Sequence, residues 1–126
     1  MIKPPVDTIR LSKQAKDQIL TLNRRTGLST WKTVALFALL TSLSDKRKLQ
    51  PLAENQSNAL EIPWGVFAGR YSDILSVIVS ARAMLDGDLS RRELIQGHIQ
   101  RGLNQLSAAG TISTIDSLIG LQRKTP

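Results

Sequence analysis

Cysteine is absent from the 126 residues, and histidine occurs once, at His98. Without a thiol there is no disulfide framework, no thiolate nucleophile, no cysteine metal site and no residue able to carry sulfur as a persulfide. A single histidine rules out a His-paired metal site within one chain and leaves little acid–base capacity near neutral pH. Long hydrophobic runs are missing too. The longest apolar helix candidate covers residues 31–43, short of the ~20 residues a bilayer requires, and Pro4-Pro5 fall where a secretory leader would need an unbroken apolar run. A soluble, cytoplasmic protein is the expectation. No Walker motif, nucleophile elbow, zinc spacing or dinucleotide fingerprint is present, so neither an enzyme nor a metal or cofactor is expected.

What the chain does have is charge of one sign in one place. Residues 1–50 carry ten Lys/Arg against three Asp, whereas residues 51–126 carry seven basic and seven acidic residues, so the whole net charge of +7 belongs to the first fifty. A field confined to one half, with no compensating acidic face, is the footprint of a surface that meets polyanions, nucleic acid first among them. At this length one domain is expected over 1–126. It would comprise a basic strand-helix-helix part (1–50) and a neutral helical part (59–126).

The local pattern fills in that outline. Residues 6–11 alternate imperfectly, with Ile9 and Leu11 on one side and Thr8 and Arg10 on the other, which predicts a short strand that must pair with another copy or lie extended on a core. Ser12 is a good N-cap for a helix over 13–26 closed by Gly27, with Ala15, Ile19, Leu22 and Thr26 sharing one face. Ser29 or Thr30 caps a second helix over 31–43 that is apolar all round, a property of helices buried on every side and easiest to satisfy against another subunit. Residues 44–58 read as a long connector. The aromatic-glycine segment 62–71 reads as a structured loop, and a helix over 71–85 follows, with Tyr71, Ile74, Leu75, Val77, Ile78, Ala81 and Leu85 on one broad face. Asp86 and Asp88, flanking Gly87, read as a polar turn. Ser90 and Glu93 have capping-box spacing for a helix to about Leu106, in which Ile95, Ile99, Leu103 and Leu106 point inward and His98 sits at the core edge. Its two glycines, Gly97 and Gly102, each weaken the helix by about 1 kcal/mol relative to alanine, a cost that close approach of another backbone would offset. A last short helix opens at 113–116. The fold class is all-α: a small helical bundle with an N-terminal strand or extended arm.

Strand, capped helix, glycine stop and capped apolar helix, in that order, match the ribbon-helix-helix pattern, in which paired strands from two chains enter the major groove. Arg10, on the outward strand face, Lys13, Lys16, Arg24 and Arg25 on the first helix, and the triplet Lys46-Arg47-Lys48 are the candidate DNA-binding residues. Each phosphate contact would add to the salt dependence of binding. The plain alternative is an arm packed on a bundle, with the lysines merely solvating a helix.

Two stretches resemble a known family. Residues 8–18 (TIRLSKQAKDQ), followed by Arg24-Arg25-Thr26-Gly27 and Trp31, resemble the start of DndE proteins, and Trp64-Gly65-Val66-Phe67-Ala68-Gly69 resembles their central aromatic-glycine segment. These are small components of the bacterial system that replaces a non-bridging phosphate oxygen of DNA by sulfur. The resemblance implies a mostly helical, tetrameric homo-oligomer that binds duplex DNA through surface lysines, prefers nicked DNA and works with other proteins of the system; it does not imply a catalytic residue. Lys13 and Lys16 are the positions it favours. The rival readings are a ribbon-helix-helix repressor and an oligomeric scaffold for an acidic protein partner.

Overall fold

The computed structural model describes residues 3–27, 30–50, 58–87 and 89–108. The first strand, β1 (Thr8–Ser12), buries Ile9 and Leu11 while Thr8, Arg10 and Ser12 stay partly exposed, as the alternation predicts. Its partner lies in the same chain. A second strand, β2 (Asn58–Pro63), pairs with it antiparallel, with Ile9 opposite Ile62, Arg10 opposite Glu61 and Leu11 opposite Leu60. The chain is therefore mostly helical with a small sheet rather than all-α, and β1 meets its own β2 where a ribbon-helix-helix would meet a second copy. The cause is local: Leu60 and Ile62 around Glu61 form an apolar face that completes the one on β1. Gln96 further donates to the Arg10 carbonyl (2.5 Å).

Helix α1 (Lys13–Thr26) follows without a break. Ser12 Oγ accepts from the Ala15 amide at 3.1 Å, and Gly27 ends the helix in the left-handed region, its amide returning to the Asn23 carbonyl. Ala15, Ile19, Leu22 and Thr26 form the buried face, and Leu20 is 47% exposed. Helix α2 (Trp31–Leu43) has Thr30 as its N-cap residue in extended conformation, although its hydroxyl bonds Thr33 Oγ1 rather than a backbone amide.

Within 62–71 the chain makes a short helix, α3 (Trp64–Ala68), and a 3₁₀ turn, Gly69–Tyr71, before α4 (Ser72–Asp86). Trp64 is buried against Phe67, and its indole N–H donates to Ser72 Oγ at 2.8 Å. Helix α5 (Arg91–Ala108) starts in the predicted capping box: the Glu93 amide donates to Ser90 Oγ and the Ser90 amide to Glu93 Oε1, both at 3.1 Å. Ile95, Ile99, Leu103 and Leu106 are buried. The 113–116 segment lies outside the described residues.

The core centres on the α2–α5 crossing. Its tightest point is Gly102, where an added Cβ would stand 2.8 Å from the Ala38 Cα and closer still to the Ala38 carbonyl. A helical glycine costs about 1 kcal/mol relative to alanine, and here it lets two backbones touch. With α1 on another side, α2 satisfies its all-round apolar surface largely inside the chain, leaving Leu40 as its exposed residue. The exposed apolar stripe runs along α4 instead. Leu75, Val79 and Ala83 face the core, while Tyr71, Ile74, Val77, Ile78, Met84 and Leu85 face out, with Ile74 at 58% and Met84 at 89% exposure.

Candidate nucleic-acid interface

The predicted cations divide into three groups. On α1, Lys13 is exposed in the first turn and Lys16 is half-buried, its stem lining a small cleft with Ile19, Leu20, Trp31 and Leu60. Neither has a carboxylate within ion-pair distance among the described residues. Arg24 and Arg25 stand exposed in the last turn, about 16 Å of helical rise away. A cation in the first turn of a helix opposes the helix dipole, whereas the arginines in the last turn complement it. The N-terminal lysines thus gain little from their own helix and remain available to an outside anion.

Arg10 faces outward across the sheet, where its Nε lies 3.3 Å from Glu61 Oε1. With Thr8 it lines an open cleft shared by Arg91 and Arg92, two exposed arginines in the first turn of α5. These lie in the half of the sequence whose charges balance, so composition gave no reason to single them out. Only the packing of β1 beside the start of α5 brings them near Arg10.

The third group is the basic triplet after α2, where the three side chains differ. Arg47 folds back on Asp45, its Nε 3.1 Å from both carboxylate oxygens and its Nη2 2.6 Å from Oδ2. The Arg47 side chain and backbone amide together hold the Asp45 carboxyl well below the usual carboxylate range. The charge of Arg47 is thereby met within the loop. Lys46 and Lys48 are exposed with no carboxylate partner among the described residues, and the end of the Lys48 side chain passes over Gly87 at the C-terminus of α4.

Of the three groups, the loop borders α5 along a groove. Gln100 receives the Ser12 hydroxyl proton (3.5 Å) and donates to Gln18 (2.6 Å), which ties the N-terminal half of α1 to it. On its other side, Gln100 lines a groove of about 530 Å³ with Arg47, Lys48, Leu49, Gln50, Gly97, Arg101 and Asn104. Of the predicted lysines Lys48 lines this groove, whereas the Lys16 cleft is built from α1, α2 and β2. Arg24 and Arg25, at the far end of α1, and the Arg10 cleft are separate from this groove.

Beneath the loop lies a buried polar network that spacing along the chain did not reveal. Asp86 is 2% exposed, not a residue of a solvated turn: Oδ1 accepts the Leu49 amide (2.9 Å), and Oδ2 accepts Arg82 Nε (3.1 Å) and His98 Nε2 (2.7 Å). His98 is fully buried rather than at the core edge, and its Nδ1 is 2.8 Å from Ser42 Oγ. Because a carboxylate only accepts, Nε2 carries the ring proton and Nδ1 accepts from the Ser42 hydroxyl. Burial holds His98 below its ordinary value of 6.5, outweighing the opposing pull of Asp86. Burial also pushes Asp86 upward, but the bonds from Leu49, His98 and Arg82 prevail and hold it ionised below 3.8.

Ser42, His98 and Asp86 are the residue types of a nucleophilic triad. Two features argue against that chemistry: Ser42 is 0% exposed, and its Oγ already accepts from Arg101 Nε at 2.8 Å. A nucleophile needs a substrate carbonyl within reach, and this hydroxyl faces packed protein. Among the described residues there is no cluster of His, Asp and Glu able to hold a metal ion, and no helix long and apolar enough to cross a membrane.

Comparison with known proteins places this architecture. The model of the DndE family, DNA sulphur modification proteins, matches residues 8–114. The fold is similar to that of the crystal structure of DndE from Escherichia coli B7A, involved in DNA phosphorothioation modification. The TM-score is 0.66 at 18% identity, over 80% of this chain and 97% of that one. It is similar also to a mutant DndE involved in DNA phosphorothioation, with a TM-score of 0.61 at 20% identity, over 82% and 98% of the respective chains. No curated protein sequence matches. At such identities the structures establish the shared fold, and the family match extends over most of the sequence. The chain belongs to the DndE family of DNA sulphur modification proteins.

Proposed function

We propose that this chain is a non-catalytic DNA-binding component of a DNA phosphorothioation system, acting in the cytoplasm as a homo-oligomer, a tetramer, alongside the other proteins of that system. The observation that carries the reading is the set of exposed lysines Lys13, Lys46 and Lys48, with half-buried Lys16, none of which has a carboxylate partner among the described residues. Such cations bind the phosphate backbone without reading sequence. Arg24 and Arg25 extend the surface, while Arg10 and Arg47 contribute less because Glu61 and Asp45 already meet their charge. The uncharged stripe on α4 supports self-association, since exposed apolar surface of this kind marks interaction sites. The non-catalytic part rests on the sealed Ser42 and on a sequence with no cysteine to carry sulfur. The β1–β2 pairing weighs against a two-chain ribbon repressor.

Fluorescence anisotropy with intact and singly nicked duplexes of unrelated sequence, across a salt series, tests the reading. The expected result is sequence-independent, steeply salt-dependent binding that is stronger on the nicked duplex. Lys13→Glu combined with Lys16→Glu should abolish it and leave the oligomer intact. Binding of one sequence alone, or affinity unchanged in the double mutant, would refute the assignment.

A further inference from the structure

The carbonyl groups that follow α2 have an unusual set of partners. Arg82, 8% exposed, donates through Nη1 to the carbonyls of Leu43 (3.1 Å) and Asp45 (2.5 Å), and through Nη2 to that of Arg47. Arg101 approaches the same segment from α5. Its Nη1 donates to the Arg47 carbonyl (3.0 Å), its Nη2 to those of Ser42 (2.9 Å) and Asp45 (3.3 Å), and its Nε to Ser42 Oγ. Asp86 takes the Leu49 amide, and Gln105 donates to Asp45 Oδ2 at 2.8 Å. Residues 43–49 are thus held through their backbone by two arginines from different helices.

Both guanidinium groups spend their donors on main-chain oxygens and have little left for a phosphate. An arginine fork has five donors in fixed geometry, which suits it to gripping several carbonyls at once; a lysine presents a single point charge. The side chains this grip does not engage are Lys46 and Lys48, which are exposed and without a carboxylate partner among the described residues.

We propose that Arg101 and Arg82 are positioning residues for polyanion binding: gripping the 43–49 backbone from within, they fix the spacing at which Lys46 and Lys48 meet successive phosphates of a nucleic-acid backbone. The proposal rests on the DNA-binding reading above. Neither arginine touches the nucleic acid. Their contribution is geometric: a loop released from the grip no longer presents both lysines to phosphates, so those contacts are lost and the salt slope falls with them.

The test is a salt series with a duplex of arbitrary sequence, using the full chain, Arg101→Lys, the double variant Lys46→Ala/Lys48→Ala, and the triple variant. Arg101→Lys retains the charge and removes the fork. Every lysine withdrawn from a phosphate lowers the slope of log K against log salt by about 0.9, so withdrawing both loop lysines lowers it by about 1.8 and weakens binding roughly 30-fold at 0.15 M salt. The triple variant should bind like the double variant. A variant that is merely less stable would bind with the wild-type slope and a smaller active fraction. A wild-type slope for Arg101→Lys, or a full additional weakening in the triple variant, overturns the proposal.

Amide hydrogen exchange on the wild-type protein is an independent reading should Arg101→Lys fail to fold. The Leu49 amide should be protected to a degree comparable with the α5 core, and exchange at the rate of an unstructured chain overturns the clamp. A wild-type protein that binds no duplex, yet shows this protection, refutes the DNA reading and with it the role assigned to the arginines. The clamp would then be structural.

Discussion

His98 is the chain's one histidine, which makes its titration separable from every other side chain. The ring is fully buried and uncharged, held between Ser42 and Asp86 and faced by the cationic groups of Arg82 and Arg101. Its folded value lies below 6.5 and its unfolded value is the ordinary one. Below pH 6.5 the unfolded chain therefore binds a proton that the folded chain does not, and stability must fall as the pH falls. The limiting slope is about 1.4 kcal/mol per pH unit, ending where the pH reaches the folded value. From pH 7 to pH 5 the loss amounts to at most about 2 kcal/mol, or about 7 °C in Tm for a domain of this size. Asp45 and Asp86 are both held below 3.8, so the stability they supply is present above that value and lost only at more acidic pH, leaving the interval from 7 to 5 to His98. Thermal denaturation followed by circular dichroism at half-unit steps, with His98→Gln alongside, makes the measurement. Wild-type Tm should decline through this interval while that of His98→Gln, whatever its starting stability, stays level. A level wild-type curve, or an equal decline in both proteins, would refute the assignment of a buried neutral imidazole.

Gly102→Ala forces a methyl group into the Ala38 backbone, which cannot yield as a side chain would, so a loss of about 3 kcal/mol or more is expected in urea denaturation. Gly27→Ala meets no atom within 4 Å but must hold a φ of 71°, and should cost only about 1 kcal/mol in the same assay. Ser90→Ala removes one half of the α5 capping box, with an expected loss of about 1 kcal/mol. Ile74→Glu with Val77→Glu alters two residues already exposed on α4; sedimentation should show a smaller species with an unchanged circular dichroism spectrum, and an unchanged oligomer would exclude this face as the contact.

Much of the fold was legible because its signals are local. Ser12, Gly27, Ser90 and Glu93 act through backbone groups a few residues away, so their helix ends followed from spacing alone. The apolar faces of α1 and α5 followed from their 3.6-residue period. Strand β2 was harder to see, because only Leu60, Glu61 and Ile62 alternate before Pro63 and Trp64 change the pattern. On α4 the periodicity was real but ambiguous. Two apolar faces overlap on that helix, and packing buries Leu75, Val79 and Ala83 while leaving Ile74 and Val77 outside.

For the candidate interface the division is sharper. The sequence by itself determined the sign of the charge, its confinement to the first fifty residues, and the exclusion of cysteine chemistry, since these follow from composition and order. Which cations are free was a matter for the tertiary structure: Arg10 meets Glu61 only across a sheet, and Lys46 and Lys48 are distinguished from Arg47 only by a loop conformation. Arg82, Asp86, His98 and Arg101, on two different helices, join Ser42 in one network only when those helices pack against α2. No spacing rule anticipates such a network, because the cost of an unpaired buried charge is imposed by neighbours remote in the chain.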